Sequence, residues 1–117
     1  MNIIIKATNF ELTPSLQDYI EKRLGTLEKF LGGQSQISVE VGKTTLHHKN
    51  GDIFKTEITV FATDGGKFYV VSEKSDQYES IDDATNELRQ SVIARKDKKQ
   101  SLWKRGASKI KNILKGF

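Results

Sequence analysis

Two adjacent histidines, His47 and His48, the carboxylates Asp76, Asp82 and Asp83, and a run of cations between Arg89 and Lys99 are the side chains whose types suit chemistry. Neighbouring residues on a strand point to opposite faces, so His47 and His48 are badly placed to chelate one ion. They are expected to be structural or solvent-facing, and no metal site is expected. The carboxylates fall in the first turns of a predicted helix, where capping and compensation of the helix dipole account for them. Gly32-Gly33 and Gly65-Gly66 lack the Lys and Ser/Thr of a phosphate-binding loop and predict turns. No nucleophile sits in a recognisable setting. The chain is therefore expected not to be an enzyme and to need neither a cofactor nor a small-molecule substrate.

The cations point elsewhere. Arg89, Arg95, Lys96, Lys98 and Lys99 lie along and beyond one predicted helix, and such a row can track a phosphate backbone. Lys22, Arg23 and Lys29, on an earlier helix, either extend that row or pair with Glu21 and Glu28 as ordinary surface charges; both readings stay open. Residues 1–88 hold nine Lys/Arg against fourteen Asp/Glu, a net of −5, whereas residues 89–117 hold ten against Asp97 alone, a net of +9. Such segregation gives an acidic body a local positive field that attracts polyanions. RNA is the expected partner.

These charges need elements to hold them. Asn2 to Thr8 alternates Ile3, Ile5 and Ala7 with Asn2, Ile4, Lys6 and Thr8, the pattern of a strand with one buried face. Thr13-Pro14 is a helix start. From there Leu16, Tyr19, Ile20, Leu24, Leu27, Phe30 and Leu31 recur at helical spacing up to Gly32-Gly33, which predicts a single helix. Ile37, Val39 and Val41 form a second strand; Phe54, Thr56, Ile58, Val60 and Ala62 a third; Phe68, Val70 and Ser72 a fourth. Asn50-Gly51 and Asp64-Gly65-Gly66 turn between them. Asp76 with Glu79 resembles a capping box opening the last helix, whose inward stripe is predicted as Tyr78, Ile81, Thr85, Leu88 and Val92. The fold class is α+β: β-α-β-β-β-α, a four-stranded mixed sheet with two helices on one face, the first crossover parallel. Phe61 and Tyr69 fall on the other face. They either stack bases or are partly exposed packing residues, and the sheet lacks an RNP signature.

At 117 residues the chain is expected to form one α+β domain over residues 1–100 and a basic amphipathic tail over 101–117. Its 36% hydrophobic content suits a modest core. The absence of cysteine excludes disulfides and thiolate metal sites. No leader and no run of about 18 apolar residues is visible, so a cytoplasmic location is expected. In the tail, Ile110, Ile113, Leu114 and Phe117 have helical spacing, but Gly106 and Ser108 predict a break, and so short a helix is marginal alone. The tail is expected to be disordered until it docks. An alternative is that Trp103, Ile113, Leu114 and Phe117 anchor the chain on anionic lipid. Shortness and Gly106 count against this, and no membrane partner is expected. An RNA-modifying enzyme has fold-level analogy alone behind it, with no residues to support it.

From Met1 to about Lys99 the chain resembles the ribosome hibernation-promoting factor and ribosome-associated inhibitor family. The resemblance rests on N-I-I-I at the start, L-T-P-S-L-Q-D-Y-I-E-K-R-L opening the first helix, L-E-K-F-L closing it, D-Q-Y-E-S-I-D from Asp76 to Asp82, and Lys96-Asp97-Lys98 at the K-x-K ending. It implies a β-α-β-β-β-α domain that binds rRNA in the channel between head and body of the small ribosomal subunit. Such a domain overlaps the tRNA and mRNA sites and silences translation during starvation or stationary phase. By position, Arg23, Lys96 and Lys98 match basic sites of the family, and Asp76 and Tyr78 match its cap and the aromatic beginning its second helix. Departures are Gln77 where Met is usual, and Thr26 and Gln90 where relatives often carry Lys and Arg. Arg89 stands one position before the latter, about 100° round the helix. Long members carry a second domain that pairs ribosomes, for which 117 residues leave no room; among short members, the presence of a C-terminal extension favours the monomer-stabilising type, although its basic, Trp-containing sequence matches none of them. The free protein is expected to be a monomer whose partner is the small subunit and its rRNA.

Overall fold

Alternating strands with one apolar side need a cover, and one layer of helices provides it. The structure is a computed structural model that describes residues 1–44 and 51–115, with side chains described as far as Lys98. Strands β1 (Asn2–Thr8), β2 (Gln36–Thr44), β3 (Ile53–Phe61) and β4 (Lys67–Lys74) form one sheet in the order β1-β2-β3-β4. The pair β1–β2 is parallel, with Ile3 opposite Ile37, and the other two pairs are antiparallel, with Ile58 opposite Val39 and Val70. This is the predicted mixed sheet. His47, His48 and Asn50 lie outside the described residues.

On the covered face Ile37, Val39, Val41, Ile58, Val60 and Val70 meet Leu16, Ile20 and Leu24 of α1 (Pro14–Gly25) and Ile81, Ala84, Leu88 and Val92 of α3 (Gln77–Lys115). Burying each of these Leu, Ile and Val side chains contributes about 1.5–3 kcal/mol, so this seam is the main source of cohesion. Ile3 and Ile5 of β1 are half-buried and Ala7 is exposed. The opposite face is open, with Ile4, Phe61, Tyr69 and Val71 exposed.

Three expectations need correction. The first helix is not single: it stops at Gly25, and a second short helix, α2 (Glu28–Leu31), follows. The Leu27 N–H bonds back three residues to the Leu24 carbonyl at 3.0 Å, and the Thr26 hydroxyl takes the Arg23 carbonyl at 2.9 Å. Glycine and threonine are poor helix residues, and this local bonding replaces the regular ladder while keeping Leu24, Leu27 and Leu31 buried.

Tyr78 does not point inward. It is 44% exposed, and Gln77 and Ser80 occupy the interior instead. Thr56 of β3 accepts hydrogen bonds from the Gln77 amide at 3.0 Å and the Ser80 hydroxyl at 2.8 Å, and the Ser80 oxygen also lies 2.9 Å from the Ser72 carbonyl. This polar cluster fixes the rotation of the first turn of α3. The predicted start itself holds, since Asp76 accepts from the Glu79 N–H at 3.1 Å.

Finally, no break falls at Gly106, because the backbone is helical from Gln77 to Lys115. A helix already nucleated on the sheet extends without a new nucleation cost, and one interior glycine costs only about 1 kcal/mol. Among the described residues no helix is long and apolar enough to cross a membrane.

Candidate nucleic-acid interface

The predicted cations divide into those that hold the fold and those that converge on a groove. Arg23 belongs to the first group. Its guanidinium donates to the Thr85 hydroxyl at 2.9 Å and to the Asn86 side chain at 3.1 Å, and it pairs with Asp82 at 3.5 Å, bridging α1 to α3. Arg89 makes a second bridge, donating to the Thr26 hydroxyl at 2.7 Å. That contact depends on the turn between α1 and α2, which brings Thr26 to face α3. Lys22 pairs along its own helix with Asp18 at 3.0 Å, rather than with Glu21 or Glu28.

Lys29, Arg95 and Lys96 form the second group. They line a groove of about 240 Å³ between α2, the β3–β4 turn and α3, together with Phe30, Leu31, Asp64, Phe68 and Val92. The ammonium groups of Lys29 and Lys96 lie 5.1 and 5.0 Å from the centre of the Phe30 ring, and the Arg95 guanidinium lies 5.5 Å from that of Phe68. Arg95 also pairs with Asp64 at 3.1 Å. The turn is shaped for it: a Cβ on Gly66 would come within 1.7 Å of the Arg95 Nη1. Lys98 is exposed three residues past Arg95, nearly one helical turn on. The side chain of Lys99 lies outside those described.

Sequence reasoning missed Phe30 and Phe68 as groove walls, having assigned both to the core, and missed Asp64 as the partner of Arg95. A weak signal was present in the placement of Lys29-Phe30 beside each other and of Phe68 four residues past Asp64. Asp82 and Asp83 do more than offset a dipole. Asp82 accepts the Tyr19 hydroxyl, and Asp83 accepts the Ser72 hydroxyl at 2.6 Å. Bonding to Asp82, helped by burial and by that carboxylate's charge, raises the Tyr19 pKa above the ordinary 10.0.

On the open face, Phe61 and Tyr69 are 50% and 57% exposed, with Lys67 5.4 Å above the Phe61 ring. Acidic groups share this face. Glu40 lies opposite Glu57, which binds Lys55 at 2.7 Å and raises its pKa through that hydrogen bond and its charge. The open face is thus of mixed charge, and the groove side carries the denser positive field.

The chain is thus a four-stranded α+β layer with cations gathered along one helix, and the described residues contain no group of three His, Asp or Glu suited to a metal ion. The chain belongs to the Sigma 54 modulation protein / S30EA ribosomal protein family, whose sequence profile matches residues 3–100. It is 33% identical over 98 residues to the ribosome hibernation promotion factor of Bacillus subtilis, an alignment covering 84% of this chain and 50% of that protein. The chain thus spans about half the length of that relative. It is 27% identical over 100 residues to the ribosome hibernation promoting factor of Klebsiella oxytoca, covering 84% and 96%. In structure it is similar to the Protein Y N-terminal domain of Thermus thermophilus, with a TM-score of 0.66 and 32% identity, over 79% of this chain and 96% of that one. The fold is also that of a ribosomal subunit interface protein from Coxiella burnetii, with a TM-score of 0.69 at 17% identity, over 83% and 99%.

Proposed function

We propose that this chain is a ribosome hibernation factor of the cytoplasm, which binds the small ribosomal subunit through rRNA, occupies the tRNA and mRNA channel and silences translation in starved or stationary cells. The observation that carries this reading is the convergence of Lys29, Arg95 and Lys96 from two separate helices on one groove, beside exposed Lys98. The names of the relatives support it. The body around this ridge is acidic, so attraction is local: the ridge meets phosphate while the rest of the surface resists indiscriminate RNA binding. Residues 1–100 act as the ribosome-binding unit, residues 101–117 add contacts, and the free protein is a monomer.

Binding by counterion release predicts a steep salt dependence, with a log-log slope of roughly −4 to −5 for six neutralised phosphates. Changing Arg95, Lys96, Lys98 and Lys99 together to Ala is expected to flatten that slope and to relieve inhibition in a cell-free translation assay. A sucrose-gradient profile with purified subunits reports binding and ribosome pairing together. Migration of the protein away from the small subunit at low salt refutes the proposal.

A further inference from the structure

Phe30 and Phe68 are each half-buried, packed against the core yet open on the groove side. Two aromatic walls are more than a phosphate site needs. The groove, at about 240 Å³, falls below the roughly 300–1,000 Å³ of ordinary small-molecule sites. It has room for one planar ring system and none for an extended cofactor. Its charge is positive, with Lys29, Arg95 and Lys96 against Asp64. Arg95 is the fixed member, held by Asp64 and seated over Gly66. Lys29 and Lys96 are exposed on long stems and can swing toward an anion.

We propose that this groove seats one unstacked RNA nucleotide, its base on Phe30, its phosphate between Lys29 and Lys96, and Arg95, held over Phe68, at the far wall. The proposal rests on the rRNA-binding reading above and adds a base-recognising site to it. A planar, apolar-faced ring carrying an adjacent anion is the ligand that matches both walls and cations. An acidic peptide matches only the cations. In A-form RNA, bases within the helix are hidden in the deep, narrow groove, so a base that enters must come from a bulge, loop or end. Competition from the protein's own lysines does not prevent entry. The two exposed cation–π contacts on Phe30 together change an equilibrium by no more than about 25-fold, within the about 5- to 100-fold that stacking a base on an aromatic ring contributes, and both lysines gain the phosphate when they leave the ring.

The test compares two RNA hairpins bound to the full chain: one with a single bulged 2-aminopurine, the other with an abasic site at that position. The bulged hairpin is expected to bind about 5- to 100-fold more tightly, with a fluorescence change on binding. F30L, which keeps apolar volume but removes the ring, is expected to erase the difference, and F30Y to retain it. Equal affinity of wild-type protein for the two hairpins overturns the proposal without reliance on any variant. Displacement of the bulged hairpin by a phosphoserine peptide at the same concentration as by unlabelled hairpin also overturns it. If wild-type protein binds small subunits but does not discriminate the hairpins, the nucleotide site fails and the hibernation reading stands. If it binds neither subunits nor hairpins, both fail.

Discussion

Tyr19 donates its hydroxyl proton to Asp82 and packs edge-on against Tyr78, with ring centres 5.0 Å apart. Because the folded protein holds the phenol in its protonated form, its pKa lies above the unfolded value of 10.0. The stabilisation is therefore complete below pH 10 and is lost as pH rises through the folded pKa. Y19F is expected to lose about 1 kcal/mol at neutral pH, a hydrogen bond discounted for partial solvation, since Asp82 keeps Arg23 as a partner. Above pH 10 the gap between wild type and Y19F should close in urea titrations. A gap that stays constant through that range contradicts the assignment. Arg23 calls for a different outcome from the one its sequence position suggests. Its donors already serve Thr85, Asn86 and Asp82, so R23A should cost about 1–3 kcal/mol of stability and leave the salt slope of subunit binding nearly unchanged. K96A should do the reverse. These partners lie about sixty residues away in the chain, beyond what local spacing can reveal, which is why the eight predicted cations carried no hint of their division into bridges and groove.

At the scale of elements, alternation was decisive where both faces of a strand differ. Thr56, Ile58, Val60 and Ala62 are buried as their spacing requires, and the turn at Asp64-Gly65-Gly66 separates β3 from β4 where expected. Helical spacing was less discriminating. Leu24, Leu27 and Leu31 recur at intervals that suit either a straight helix or the observed break, and the choice is made by hydrogen bonds around Thr26. In α3 a stripe through Ile81, Ala84, Leu88 and Val92 accommodates either Gln77 or Tyr78 at its start. Buried Thr56 selects Gln77, because a buried hydroxyl needs polar partners. T56V keeps the side-chain shape but removes the acceptor of Gln77 and Ser80. It is expected to destabilise the domain by about 1–3 kcal/mol, read as a lower urea midpoint with an unchanged slope. A neutral effect would mean that the network does not set the rotation of α3.

For the whole molecule, the segregation of charge, visible in the sequence, acquires direction from α3, which carries the basic end away from residues 1–88 and their net charge of −5. At about 1.5 Å per residue this 39-residue helix extends about 58 Å, and among its described side chains the last buried one is Val92. Residues 101–117 contain Lys104, Arg105, Lys109, Lys111 and Lys115 and no acid, so a chain ending at Gln100 has a net charge of −1. Such a chain separates two sources of affinity. If net charge governed binding, it would be repelled by rRNA at all salt concentrations. If the local field of the groove governs, it should still bind small subunits at low salt, because opposite charges within a Debye length of about 10 Å outweigh distant ones at 0.1 M. The full-length chain is then expected to show a steeper salt slope, by up to roughly 4 for five further phosphate contacts, and the two affinities should converge as salt rises. Identical slopes for the two chains would mean that the basic end touches no RNA, leaving the groove and its flanking lysines as the whole of the electrostatic contact.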